Sequence, residues 1–104
     1  MKEGKIDGVV TAPISKEHIK KIQPDFIVNS AAMTNVDQCE GHRETCDLIN
    51  VELVRQLTDY CSRNATHLIH ISTDFIFDGE NGPYKEDDQP NPLNYYGLSK
   101  LKSE

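Results

Sequence analysis

Two short runs bracket a long stretch of helical periodicity: the continuous apolar Phe26-Ile27-Val28, and His67 to Ile71, read as a second buried strand. A short continuous apolar run suits a strand buried on both faces, as parallel sheets require. Parallel neighbours cannot be joined by a hairpin; they need a crossover, usually a helix. The intervening pattern supplies one. From about Arg43 to Arg63 the residues Cys46, Ile49, Leu53, Leu57, Tyr60 and Cys61 recur at helical spacing. Arg43, Glu44, Asp47, Glu52, Arg55 and Asp59 fill the other positions. This predicts one long amphipathic helix lying on a sheet.

The rest of the chain continues the alternation. Ile6 to Thr11 reads as the tail of a strand. Ser15 is placed to cap a helix, with Ile14 before it and Ile19 four positions inside as a hydrophobic staple, and Pro24 stops that helix. Beyond the second run lie a Gly/Asn/Pro turn region (Asp78 to Pro83), the acidic stretch Glu86-Asp87-Asp88, read as a solvated loop, and a last helix capped by Asn94. Strands alternating with helices predict an α/β fold, part of a doubly wound parallel sheet with flanking helices. Both ends read as cut. At most one strand precedes the first helix, and the last helix reaches Glu104 after about three turns. Sheets of this class average about 5–6 strands, so residues 1–104 are expected to be the middle portion of a larger domain.

Composition narrows the function. The formal net charge is −6, with no basic cluster beyond Lys20-Lys21, which argues against nucleic acid and anionic membranes as partners. No apolar run approaches the ~18 residues of a membrane span, and Met1 to Lys5 is not a signal peptide, so a cytoplasmic location is expected. Three cysteines without a C-x-x-C do not form a disulfide framework. Cys39, His42 and Cys46 have a spacing that imitates a metal site, but Gly41 interrupts the helix and a fourth ligand is lacking; a packed or a reduced surface role is expected, with no metal. His67 and His70 would point to opposite faces of their strand. Asn64-Ala65-Thr66 matches a glycosylation sequon, irrelevant to a cytoplasmic chain.

Ligands of open α/β sheets bind beyond the carboxyl ends of the strands. Asn29-Ser30-Ala31-Ala32 follows the first run, its small side chains suited either to a cofactor lying on the backbone or to tight packing. Ser72-Thr73-Asp74 follows the second, with two hydroxyls and a carboxylate that can bind a ligand or cap nearby amides. Tyr96 and Lys100 stand at i and i+4, on one helix face. The i+4 partner of Tyr95 is only Ser99. A tyrosine ionises near pH ~10, and an adjacent ammonium favours its phenolate at about 1.4 kcal/mol per pKa unit. Thr73 polarising a carbonyl, Tyr96 donating a proton, and Lys100 tuning Tyr96 and holding a ribose would make an oxidoreductase site.

These segments resemble the extended short-chain dehydrogenase/reductase superfamily, most closely the dTDP-4-dehydrorhamnose reductase family. That family's Asn-(Ala/Ser)-Ala-Ala-x-Thr-x-Val-Asp is matched by Asn29 to Asp37. Its Ser-Thr-Asp-aromatic-x-Phe-x-Gly is matched by Ser72 to Gly79, and its Pro-Leu-Asn-x-Tyr-Gly-x-(Ser/Thr)-Lys-x-x-x-Glu by Pro92 to Glu104. Asn50 also stands where the family commonly has Asn. The resemblance implies a Rossmann-type fold and reduction of a 4-keto nucleotide sugar with NADP or NAD as cofactor. It implies Thr73, Tyr96 and Lys100 as catalytic residues. It places Ala31, Ala32 and Thr34 along the phosphate and ribose of the cofactor, Ser72 near the nicotinamide, and Asp74 and Phe75 at the substrate. Related dehydratases carry Thr-Asp-Glu where this chain has Thr73-Asp74-Phe75; Phe75 cannot move a proton, so reduction is expected over elimination. The nucleotide sugar is the implied partner, and a homodimer is left open.

The family's glycine-rich phosphate loop and carboxy-terminal substrate region have no counterpart here: Gly4 and Gly8 lack the spacing, and Gly79 and Gly82 enter a turn, not a helix. This polypeptide alone is therefore expected to bind cofactor poorly and to be an inactive fragment. Two alternatives remain beside the reductase. One is a non-catalytic regulatory subunit like that of methionine adenosyltransferase, and the other a nucleotide-sugar epimerase with tightly held NAD.

Overall fold

The structure, a computed structural model, describes residue 19 and residues 21–104. The strand expected at Ile6 to Thr11 and the cap and staple expected at Ser15 and Ile14 lie outside the described residues. Helical residues reach Ile22, Gln23 takes a left-handed backbone (φ 51°), and Pro24 follows, as its missing N–H requires. Ile19 is buried, and its carbonyl accepts the Tyr60 hydroxyl at 3.4 Å.

Strand β1 (Phe26–Asn29) runs parallel to β2 (His67–His70), with Phe26 opposite His67 and Asn29 opposite His70. The ladder continues at both ends, from His67 N–H to the Asp25 carbonyl at 2.9 Å and from Ile71 N–H to the Asn29 carbonyl at 3.1 Å. Within the described residues the strands are covered on one face. Ile27, Asn29, Leu68 and His70 share the helix-covered face, where the His70 ring meets the Ser103 hydroxyl of the last helix. On the other face Phe26 (58%), Val28 (61%), Ile69 (41%) and Ile71 (49%) are exposed. The described residues cover the sheet with helices from one side only. His67 and His70 do lie on opposite faces, His67 edge-to-face with Phe26 on the open one.

The crossover from β1 to β2 is segmented. Helix α1 (Val36–Gly41), not foreseen from periodicity, is capped by Asn35, whose side chain accepts the Gln38 N–H at 2.9 Å. Gly41 ends it, and His42 (φ −133°, ψ 60°) breaks the path before α2 (Arg43–Asp47). A π-helical turn, Leu48–Glu52, then leads into α3 (Leu53–Arg63). The single helix expected over this span is thus interrupted. The wider turn advances the buried seam by one position. Val54 (4% exposed) is buried where Leu53 (36%) was expected, and the inward line runs Cys46, Asn50, Val54, Cys61. Helix α3 stops at Asn64; Ala65 is left-handed (φ 52°), and the Thr66 N–H returns to the Cys61 carbonyl at 3.1 Å, the long bond of a Schellman motif. The Thr66 hydroxyl reaches the Pro24 carbonyl at 3.0 Å and sets the start of β2 beside β1.

After β2 a 3-10 turn (Asp74–Ile76) opens the long connection to α4 (Tyr95–Ser103). Asn94 caps α4, accepting the Gly97 N–H at 2.7 Å. The intervening loop is organised by Asp78, which accepts from Asn91 Nδ2, the Tyr84 hydroxyl and the Glu80 N–H. Those donors hold its carboxyl down at about 2. Phe77 and Tyr84 stack at 4.4 Å. Asp88 in the acidic stretch closes a turn by accepting the Lys85 N–H at 2.7 Å.

Candidate active site

Sheet geometry brings the candidate residues to one edge. Ser72 and Thr73 follow β2 directly, and Ser30 to Thr34 follow β1. Because the strands are parallel, both segments leave the sheet at its carboxyl end. Thr73 has extended backbone (φ −152°, ψ 151°), and its Oγ1 accepts the Phe75 N–H at 3.3 Å, capping the 3-10 turn. That turn packs on the start of α4: the Phe75 and Tyr96 rings meet edge-to-face at 5.7 Å, and the Phe75 carbonyl lies against Gly97. Asp74 is exposed, and Phe75 is 45% exposed.

Lys100 is drawn under the same edge. It is 3% exposed, and its Nζ donates to the Ile71 carbonyl at 2.7 Å, at the end of β2. Burial holds its ammonium below the usual lysine range, with Glu104 partly opposing the shift. A charge in that position gains from any anion formed beside it. The two tyrosines at the start of α4 differ sharply. Tyr95 gives its hydroxyl to Asp47 at 2.7 Å, and Arg43 stands over its ring at 4.7 Å. The Tyr96 hydroxyl has no hydrogen-bond partner among the described residues.

On the β1 side, Asn29 Oδ1 accepts the Ala31 N–H at 3.3 Å. Two residues on, Met33 is held through both of its backbone groups by Asn50. Ala31 and Thr34 are exposed and Ala32 half-buried. Small side chains on a pinned loop leave the main chain approachable. Ser72 is turned toward Glu104, to which its hydroxyl donates.

Periodicity did not assign roles to Asn50 and Ser99, which are 1% and 0% exposed. The signal was present: Asn50 is a polar residue one turn from Cys46 on the apolar side of the helix. Of the packed and surface roles expected for Cys39 and Cys46, their surroundings match the packed one. Cys39 is buried with its Sγ on the Met33 carbonyl, and Cys46 with its Sγ on Ser99. Burial, then the neighbouring Cys46, pushes the Cys39 thiol up to about 12. Among the described residues no group of three His, Cys, Asp or Glu is arranged to hold a metal.

A parallel pair of strands, a helical crossover and a polar carboxyl edge closed by the next helix define a Rossmann-like α/β unit. Residues 7–104 match the family described as RmlD substrate binding domain, and the chain belongs to it. The chain is 42% identical over 86 residues to methionine adenosyltransferase 2 subunit beta from Bos taurus, covering 83% of this chain and 26% of that protein. A hypothetical dTDP-4-dehydrorhamnose reductase from Sulfolobus tokodaii superposes with a TM-score of 0.82 at 44% identity, over 97% of this chain and 39% of that one. A dTDP-4-dehydrorhamnose reductase from Bacillus anthracis, solved in complex with NADP, superposes with a TM-score of 0.79 at 34% identity, over 84% of this chain and 31% of the other. The chain thus spans about a quarter of the length of the curated relative, at 26%.

Proposed function

We propose that the protein containing this chain reduces a 4-keto nucleotide sugar with NADPH or NADH, and that residues 1–104 are the part of its cofactor-binding domain carrying the proton-handling edge. The observation that carries this reading is the docking of the segment after β2 on α4, through Phe75 on Tyr96 and Lys100 on the Ile71 carbonyl. It holds a hydroxyl, a phenol and an ammonium on adjoining elements.

The dinucleotide, when bound, supplies the hydride. Thr73 hydrogen-bonds the substrate carbonyl and draws charge onto its oxygen, and Tyr96 donates the proton. Lys100, costly as an isolated buried charge, is relieved by the phenolate that remains, and so lowers the cost of that transfer. Ala31, Ala32 and Thr34 would hold the phosphate and ribose portion, Lys100 a ribose hydroxyl, and Ser72 the nicotinamide. Asp74 and Phe75 face the sugar, and Phe75 offers no acid or base for elimination. The pinned loop and its small residues fit such a cofactor. No glycine spacing of the phosphate-loop kind occurs in residues 1–104, so on this reading they alone bind it weakly.

The test is the loss of NADPH absorbance when the whole protein meets a dTDP-linked 4-keto sugar. Failure to oxidise NADPH with any such sugar would sink the reading. For residues 1–104 alone, micromolar NADPH affinity by calorimetry would contradict the weak binding. Among the described residues no helix is long and apolar enough to cross a membrane. Cytoplasmic residence and a homodimer belong to the same proposal, checked by cell fractionation and light scattering.

The similarity to methionine adenosyltransferase 2 subunit beta favours a second reading, a regulatory subunit. Co-purification with a methionine adenosyltransferase catalytic subunit, without sugar-dependent NADPH oxidation, would select it.

A further inference from the structure

A buried polar line joins the loop after β1 to the first turn of α4. The Met33 N–H donates to Asn50 Oδ1 at 2.7 Å, and the Met33 carbonyl accepts from Asn50 Nδ2 at 3.0 Å. The same Nδ2 donates to Ser99 Oγ at 2.9 Å, and Ser99 donates in turn to the Tyr96 carbonyl at 2.8 Å. The Cys46 thiol gives a second bond to Ser99 Oγ at 3.3 Å.

Hydrogen counting closes this line in one direction only. The Asn50 amide oxygen is taken by the Met33 N–H, and its two N–H bonds serve the Met33 carbonyl and Ser99 Oγ as the nearest acceptors, with Cys46 Sγ a third, longer contact of the same nitrogen at 3.4 Å. The single proton of Ser99 goes to the Tyr96 carbonyl, and its oxygen accepts from Asn50 and Cys46. A serine bonding back by three residues adjusts the local path of a helix, here the turn that carries Tyr96. Asn50 reaches both partners from the centre of the π-helical turn, Leu48–Glu52, where the backbone departs from regular spacing. With Asn50 and Ser99 both sealed from water, an unmade bond in this line has no solvent substitute.

We propose that Asn50 and Ser99 are positioning residues for Tyr96, tying the loop that carries Ala31 to Thr34 to the turn that carries the phenol so that the two shift as one body. This rests on the reading of Tyr96 as proton donor. It adds that cofactor-side and proton-side geometry are set by a shared strut. Neither residue touches the reacting atoms; each acts through the backbone it holds.

The experiment compares wild type, Ser99→Ala and Ser99→Thr in the whole protein. NADPH oxidation with a dTDP-linked 4-keto sugar gives kcat and KM, and hydrogen exchange is followed at the Met33 amide. Ser99→Ala lowers kcat about tenfold to a hundredfold, the scale expected of sub-ångström misplacement, with both KM values within about twofold of wild type. Ser99→Thr, which keeps the hydroxyl, restores most of the rate. A loss confined to KM, an unchanged kcat, or a kcat that follows folded fraction alone overturns the proposal. If wild type itself oxidises no NADPH, the proton-donor reading has failed, and the strut is judged by exchange. Faster exchange of the Met33 amide in Ser99→Ala then supports it, and unchanged exchange overturns it.

Discussion

Gly97, in the first turn of α4, sits so close to the main-chain carbonyl of Phe75 that a Cβ at this position would overlap it. This contact sets how near the segment after β2 comes to Tyr96 and Lys100. In an exposed helix, Gly→Ala gains about 1 kcal/mol from propensity. Here the added methyl meets backbone, which cannot swing aside, and overpacking of that kind costs about 1–3 kcal/mol. Gly97→Ala is therefore expected to destabilise the fold, by up to about 2 kcal/mol net, in urea unfolding followed by circular dichroism. A rise in the midpoint would show that the two elements are not in fixed contact.

Ala65 offers the opposite change. It occupies a left-handed position at the end of α3, where a side chain is disfavoured by about 1–2 kcal/mol and glycine is not. Glycine returns part of the gain as extra freedom in the unfolded chain. Ala65→Gly is expected to stabilise by about 0.5–1 kcal/mol in the same measurement, and a loss of stability would contradict the Schellman ending of α3.

The adjacent tyrosines separate stability from chemistry. Tyr95→Phe removes the bond to Asp47, whose Oδ1 is already buried without a partner among the described residues. Stability should fall by about 1–2 kcal/mol, with turnover per folded molecule kept. Tyr96→Phe leaves its edge contact with Phe75 in place. Melting should be nearly unchanged, while turnover of the whole protein falls at least about a hundredfold, the usual scale for losing a general acid. Equal turnover in wild type and Tyr96→Phe would remove Tyr96 from the mechanism.

His70 makes stability fall on the acid side. Burial, and then the charge of Lys100, hold its pKa below the ordinary 6.5, with Glu104 opposing. The folded state thus favours the neutral ring, which bonds Ser103 at 2.8 Å and Asn29 at 3.3 Å. For a pKa lowered by folding, the contribution is whole above the unfolded value of 6.5 and is lost as pH falls through the depressed folded value. Urea midpoints measured from pH 7.5 down to pH 5 should drop for wild type and stay flatter for His70→Gln. Parallel curves would show that the ring is not held neutral.

Much of the architecture was legible in residue order because it rests on local physics. Asn94 announces α4 by a capping bond that spans three residues, and Pro24 ends its helix through the N–H it lacks. Less legible were features that arise where distant segments meet. Val36 to Gly41 is short and weakly periodic, and it forms a helix through its Asn35 cap and the burial of Cys39 beneath it. The π-helical turn left no periodic trace, since one extra residue per turn only blurs the pattern of apolar positions.

The same division holds at the candidate site. Alternating period, apolar runs and the i, i+4 pairing of Tyr96 with Lys100 were enough, by themselves, to specify a parallel α/β chain with a polar edge, because each depends on neighbours within a turn or a strand. Which tyrosine is spoken for, which polar residues are sealed inside and how closely the two strand ends approach α4 depended on contacts across the fold. Asp47 takes the Tyr95 hydroxyl, Asn50 reaches Met33 and Ser99, and Gly97 admits the Phe75 carbonyl. Such partners are far apart along the chain and meet only when helices and sheet close together, so no local pattern encodes them.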